Sequence, residues 1–321
     1  MIPPALWLHG APMTVPTQSS AVGDSPREPR VCAWCGGVIG SAARSRPGRI
    51  FCPGCGVANT DPWPTDAELE AAYSTWYRPD SGRFSGVGDT LLRRTRGLLA
   101  RRLDELAPPG PVLDVGAGDG ALLDALTARG REALGLERHA SRADVHEGDL
   151  STVSGPWSAI VFWHSLEHLR NPGEELERAA GQLGPGGVLV VAVPNAASLQ
   201  ARLFGDRWLA LDLPRHLVHI PAPALVDRLR GLSLRVDRVS YWRGGQVLFG
   251  WLHGLVALLP GHPDLYDAIR RPEARREQQA AWPRSRTLAA AVLMTPLAVL
   301  GALVEVAVGR GGTVYIEARH A

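Results

Sequence analysis

The chain has 321 residues and a mass of 34.4 kDa, enough for one large domain with an accessory or for two modest domains. All 34 basic residues are arginine, which excludes chemistry that needs a lysine amine, such as a Schiff base or a P-loop. Against 32 acidic residues the net charge is only +2, and such a balance speaks against a nucleic-acid partner.

Residues 1–26 carry one short apolar stretch without a basic flank, and a disordered tail on a cytoplasmic protein is expected there. Residues 27–60 hold all four cysteines, as Cys32/Cys35 and Cys52/Cys55. Each Cys-x-x-Cys is trailed by a glycine that permits a tight turn, and the 16 residues between the pairs suffice for a hairpin. Four thiolates so arranged close a tetrahedral site with no open position, so a structural zinc ribbon is expected. Residues 61–107 read as a helical lead-in, with a short helix over 66–73. A longer one over 89–106 sets Leu92, Leu99, Leu103 and Leu106 on one stripe until Ala107-Pro-Pro-Gly-Pro111 stops it.

From Val112 strand and helix alternate. Strands are predicted at 112–115, 133–137, 159–163 and 188–193, and helices at 120–129 and 172–183, with Asn171 placed as an N-cap and Pro172 at the first helical position. Such alternation argues an α/β fold with a doubly wound parallel sheet. Two late strands, 234–242 and 313–318, bracket a segment of different character.

Val112-Leu113-Asp114-Val115-Gly116-Ala117-Gly118-Asp119-Gly120-Ala121 is a strand, a glycine turn and a helix start, a ready cradle for a nucleotide. Taken alone, it fits both a dinucleotide loop and an S-adenosylmethionine loop. Glu137 ending the second strand suits the ribose of either cofactor, while Asp114 two residues before the first glycine, Asp149 after a third short segment and the terminal strand pair favour S-adenosylmethionine.

The loop, Glu137, Asp149 and Trp163-His164-Ser165-Leu166-Glu167-His168 resemble class I S-adenosylmethionine-dependent methyltransferases, more narrowly the group that includes quinone-biosynthesis enzymes. Pro194-Asn195, Ser198-Leu199-Gln200, Gly205-Asp206-Arg207-Trp208 and Pro214-Arg215-His216-Leu217 resemble bacterial members with an N-terminal zinc ribbon. The resemblance implies a Rossmann-like seven-stranded sheet of order 3-2-1-4-5-7-6 with strand 7 antiparallel, formed by 108–243 plus 312–321. It also implies that Gly116, Gly118 and Gly120 cradle the methionine and ribose, that Glu137 binds the ribose and Asp149 the adenine, and that His164 lies near the sulfonium. Asp114 and Leu150 complete the expected cofactor set.

His164-x-x-Glu167-His168 also matches an inverted zinc-protease motif, but Asn171-Pro172 leaves too little room for the helix that motif needs, so a strand-end loop is expected. His168 and His216 are the candidate bases, with structural hydrogen-bonded histidines as the competing reading; Glu167 is a candidate cap for the next helix. Residues 244–311 contain two apolar runs, 247–259, broken by His253-Gly254, and 288–304, interrupted by Pro296, around an arginine-rich hinge. Two readings stand: a helical cap over the pocket, or a hairpin lying on a membrane through 246–308. The expected activity is methyl transfer to a small-molecule or lipid-linked acceptor, with ribosomal RNA methylation and non-catalytic cofactor binding as alternatives.

Overall fold

The computed structural model describes residues 30–73, 87–140, 142–242, 245–270 and 282–321. The expected tail at 1–26 lies outside them, as do the side chain of Leu92 and most of the arginine-rich hinge.

The chain opens with two small antiparallel sheets. β1 (Arg30–Val31) pairs with β2 (Val38–Ile39), and β3 (Ser45–Arg46), β4 (Arg49–Phe51) and β5 (Ala58–Thr60) follow. Gly36 and Gly56, one behind each cysteine pair, adopt φ values of 70° and 74°, the left-handed turn that only glycine enters cheaply. α1 (Asp66–Ala72) begins at Thr65, whose hydroxyl accepts from the Glu68 N–H while Glu68 returns to the Thr65 N–H. α2 (Val87–Leu106) buries Leu99 and Leu103 and pins itself to the last strand, Arg102 donating to both carboxylate oxygens of Glu317 at 2.9 and 2.8 Å.

The core is built in chain order. β6 (Val112–Val115), α3 (Ala121–Thr127), β7 (Ala133–Glu137), β8 (Val145–Glu147), β9 (Trp157–Trp163), α4 (Pro172–Gln182) and β10 (Leu183–Pro194) form the first part. α5 (Leu199–Phe204), β11 (Val218–His219), α6 (Ala222–Gly231) and β12 (Leu234–Ser240) continue it, and after the insertion β13 (Thr313–His320) closes the sheet. The sheet order is β12-β13-β10-β9-β6-β7-β8, which in core numbering is 6-7-5-4-1-2-3, the expected order read from the other edge. β13 runs antiparallel to both β10 and β12. Ala159–Trp163 of β9 and Val188–Pro194 of β10 read as unbroken apolar runs because they are covered on both faces.

The amino-terminal ribbon is continuous with this core. β11, from the core, pairs with β5, extending the ribbon sheet to β11-β5-β4-β3. Trp34, Ile39, Ile50 and Val57 share one apolar cluster with Leu166 and Leu176, and the approach to α4 is close enough that a Cβ on Gly173 would stand 2.1 Å from the Trp34 carbonyl oxygen.

Among the described residues the insertion forms α7 (Gly245–Ala257), α8 (Leu265–Ile269) and α9 (Arg284–Ala307). Two sequence expectations fail here. His253-Gly254 does not break α7, because Gly254 lets the Phe204 ring approach and His253 is buried. Pro296 does not interrupt α9; it lies on the exposed side, and the Thr295 hydroxyl donates to the Ala291 carbonyl one turn back. Asn171 likewise stands at the start of α4 without a side-chain capping bond.

Candidate active site

β6 ends in the glycine loop, where Gly116, Gly118 and Gly120 have φ values of 82°, 62° and 73°. Three left-handed glycines in five residues fold the chain back sharply before α3, whose N-cap Gly120 offers no side chain and whose first N–H, of Ala121, donates to the Asp119 carboxylate at 3.2 Å. The Cβ of any other residue at 116 would stand 2.4 Å from the Ser165 Cβ, so the loop and the 164–168 turn are packed against each other. At the end of β7, Glu137 accepts from the Gly118 N–H at 2.8 Å, which sets the carboxylate beside the loop.

The other expected cofactor residues sit along the same edge. Asp114 is buried within β6; desolvation pushes its carboxyl up to about 7, against the nearby Arg96 guanidinium. Arg96, on α2, stacks over the Trp163 ring at 4.9 Å. Asp149 follows β8 and accepts from the Ser151 N–H and hydroxyl, capping a single turn of 3-10 helix. Leu150 is fully buried, with its N–H donating to Glu175.

The turn after β9 holds an arrangement that the sequence only hinted at. Residues 166–168 form one 3-10 turn rather than a helix, so the protease motif is not realised. His164 is held at φ 53°, an uncommon conformation for a side-chain-bearing residue. Glu167 caps nothing. It is 2% exposed, neither carboxylate oxygen has a hydrogen bond, and its nearest polar neighbours are His164 Nδ1 at 3.5 Å and His216 Nε2 at 3.9 Å. Burial pushes this carboxyl up, but His164 beside it at 3.5 Å and the fields of His168 and His216 outweigh burial and hold it at about 2.

The 209–219 segment brings the remaining histidines to Glu167. The Leu217 N–H donates to the Glu167 carbonyl at 2.8 Å, which sets the preceding residue, His216, beside the turn. The rings of His168 and His216 meet edge to face with centroids 4.6 Å apart. His168 Nδ1 lies 2.9 Å from the Arg215 carbonyl, and His216 Nδ1 lies 2.8 Å from the Ala210 carbonyl. A carbonyl can only accept, so both Nδ1 atoms carry a proton, and His216 Nε2 faces the Asp212 and Glu167 carboxylates at 3.7 and 3.9 Å. Burial, with His216 adding to it, depresses His168 to about 4, so it is neutral at physiological pH.

Several contributors escaped the sequence reading. Tyr73, at the end of α1, places its hydroxyl 2.8 Å from His168 Nδ1, and the Arg138 guanidinium lies over its ring at 5.1 Å. Since Arg138 directly follows Glu137, the glycine-loop side and the histidine side are joined through Tyr73. Arg215 is buried, chelates Asp212 and donates to the Ala72 carbonyl at the foot of α1. The available signal for Arg215 was its place beside His216; nothing in the sequence paired Tyr73 with a residue 95 positions away.

The ribbon supports this site from below. The Thr60 hydroxyl donates to the His216 carbonyl at 2.6 Å, and Arg49 bonds Asp206 at 2.7 Å. The four cysteine sulfurs lie within 4.8 Å of one another, with Cys32–Cys55 at 3.8 Å and Cys35–Cys52 at 3.7 Å. Bonds of about 2.3 Å around a tetrahedral zinc imply sulfur–sulfur edges of about 3.8 Å, so the cluster is compatible with a zinc ribbon. The Asn59 amide donates to Cys32 Sγ at 3.3 Å, favouring its thiolate.

Residues 90–239 match the family model described as a methyltransferase domain. Together with the sheet order, this match supports a class I methyltransferase. No curated protein matches the sequence. Among solved structures, the chain is similar to a SAM-dependent methyltransferase from Archaeoglobus fulgidus, at 16% identity over 70% of this chain and 93% of that one, with a TM-score of 0.41. It is also similar to a possible histamine N-methyltransferase from Thermotoga maritima, at 13% identity over 72% and 92% of the two chains, with a TM-score of 0.40.

Proposed function

We propose that this protein transfers a methyl group from S-adenosylmethionine to a hydroxyl or amino group of a small-molecule or lipid-linked acceptor, with a structural zinc in its ribbon. The reading is carried by one observation. His164 Nε2, Ser165 Oγ and both Glu167 carboxylate oxygens are buried without a hydrogen-bond partner, on the turn packed against the glycine loop. Buried polar atoms are rarely left so, and four in four residues mark a place where a polar ligand completes the set.

Bound S-adenosylmethionine would supply a methyl group on an already electrophilic, positively charged sulfur. In this reading Gly116, Gly118 and Gly120 shape its cradle, Glu137 orients its ribose and Asp149 the far end. The chain's task is then to hold the acceptor in line and to take its proton. In this reading His216 or His168 takes the acceptor's proton at Nε2, and Glu167 stabilises whichever imidazole becomes charged. Tyr73 and Arg215 fix the His168 ring through its Nδ1 face and act as positioning residues.

Calorimetry with S-adenosylmethionine tests the cofactor half. The parent protein should bind, and Gly116→Arg should not, since any side chain there meets Ser165 at a backbone angle it disfavours. A folded parent protein that binds no S-adenosylmethionine overturns the proposal. For the acceptor half, labelled methyl transfer into a membrane and metabolite extract should fall sharply in His216→Gln while cofactor affinity stays unchanged.

A further inference from the structure

The longest helix of the insertion presents the wrong side to water. Along α9, Val292, Leu293, Leu297, Leu300, Leu303 and Val304 are all exposed, Leu293 at 78%. They recur at helical spacing along one face, and no charge occurs from Thr287 to Val304. The opposite face is committed to the protein. Ala290, Ala291, Ala298 and Ala302 are buried, and a Cβ on Gly301 would stand 2.5 Å from the Trp251 ring. A water-soluble surface does not ordinarily leave so large an apolar stripe bare.

We infer that the outward face of α9 docks in plane on the anionic surface of a lipid bilayer. The length of α9 permits a membrane crossing, but its packing does not. Its inner face is fixed to α7 and α8, and Glu305 near its end is 0% exposed, accepting from the Gln200 N–H, the Gln200 amide and the Trp251 indole. A helix clamped along one side can bury only the other side in acyl chains, which is the geometry of an interfacial helix.

The surround selects lipid over protein. Arg284 and Arg286 are exposed at the start of α9 and Arg310 just past its end, while Glu305, the one acid between 282 and 312, faces inward. Positive ends flanking an uncharged apolar face complement anionic headgroups above acyl chains. Arg286 lies over the Trp282 ring at 4.0 Å, and Trp242, 56% exposed, lines an apolar groove with Val299 and Leu303. Tryptophan and arginine at the margin of an apolar face are the residues that settle at headgroup depth. Pairing two copies of this face would set arginines against arginines with no exposed acid on the helix to answer them.

The docking face also adjoins the reaction edge. α7 begins five residues after β12 ends, and α9 leads into β13 where Thr313 pairs with Pro194, at the carboxyl end of β10. An acceptor carried in the bilayer would therefore reach the sheet edge from the docked side, a consequence that rests on the proposed methyl transfer; the docking itself does not.

Sedimentation of the full chain with vesicles tests it. Binding is expected to phosphatidylcholine mixed with phosphatidylglycerol, weaker binding to phosphatidylcholine alone, and a loss of at least about tenfold in Leu293→Asp/Leu300→Asp. Arg284→Gln/Arg286→Gln should remove the preference for phosphatidylglycerol while leaving residual binding. Cofactor affinity should be unchanged in both variants, which shows that they fold and separates a failure of docking from a failure of the methyltransferase reading. No binding to phosphatidylglycerol vesicles at low salt overturns the inference. So does equal binding by the aspartate variant, or a vesicle-independent dimer that the aspartate variant splits.

Discussion

Two buried glutamates, Glu167 and Glu305, stand in opposite states. Glu305, 0% exposed at the foot of α9, accepts three hydrogen bonds from Gln200 and Trp251, and burial still pushes its carboxyl upward. Glu167, 2% exposed at the sheet edge, accepts none and is held at about 2 by the histidines around it despite its burial. Burial alone therefore does not mark a working residue. Glu305 is a finished structural bond set that locks the insertion to α5; Glu167 is an unfinished one, whose missing partners are what a substrate would bring.

Cys52→Ser should separate the two centres most strongly. Loss of one thiolate opens the ribbon, and structural zinc sites contribute on the order of 10 kcal/mol to small domains that depend on them. Because Thr60 holds the His216 carbonyl, the Glu167 side should lose methyl transfer and show amide-exchange deprotection across 209–219. The Glu305 side, which touches no ribbon residue through its hydrogen bonds, should keep its protection. Equal deprotection of both regions would show that the ribbon supports the whole molecule rather than this site.

The same isosteric change at each centre sharpens the contrast. In Glu305→Gln, an amide nitrogen must face one of three donors, and leaving a buried donor unpaired costs about 1–3 kcal/mol, read from the urea midpoint. In Glu167→Gln no side-chain hydrogen bond is broken, but the histidines that hold the carboxyl at about 2 favour its charged form, so some stability is lost at neutral pH while turnover falls about a hundredfold. A large stability loss at Glu167 with turnover intact would reassign it as structural.

The unequal legibility of the two regions has a physical origin. β6, β7 and the glycine loop could be read directly because strand apolarity and left-handed turns are local properties, and their predicted bounds of 112–115 and 133–137 match the strands. The ring around Glu167 is not local: Tyr73, His168 and His216 come from three segments, and although the resemblance pointed at His168 and His216 separately, nothing in the sequence joined them to each other or to Tyr73. Pro296 misled for the opposite reason. Its missing N–H is a local fact, but whether a helix survives it depends on which side the freed carbonyl faces. Asn171 failed as a cap because its backbone lies at φ −128°, ψ 62°, away from the extended geometry seen at Ser198, whose hydroxyl does cap α5.

The smallest effect expected is the pH dependence of folding, which tests whether the histidines around Glu167 are held neutral. Burial depresses His168 to about 4 and His219 to about 3, below the 6.5 of an exposed histidine. Between pH 6.5 and 4 the unfolded chain thus binds up to two more protons at these sites than the folded one, so they lose stability as pH falls. Asp114 works against them. Its carboxyl is raised from 3.8 to about 7, so the folded chain binds a proton there that the unfolded chain lacks, and this contribution is lost as pH rises through that window. Above about pH 5.5, where Glu167 is ionised in both the folded and the unfolded chain, two histidines against one aspartate leave a net fall on the order of 1 kcal/mol per pH unit on acidification. Urea midpoints taken from pH 6.5 down to 5.5 should show that fall, shallower in His219→Gln and steeper in Asp114→Asn. A midpoint that stays level in the parent and drops only in Asp114→Asn would mean that just one of the two histidines is held neutral. A rise on acidification would mean that neither is, and that the ring around Glu167 carries charge before any acceptor arrives.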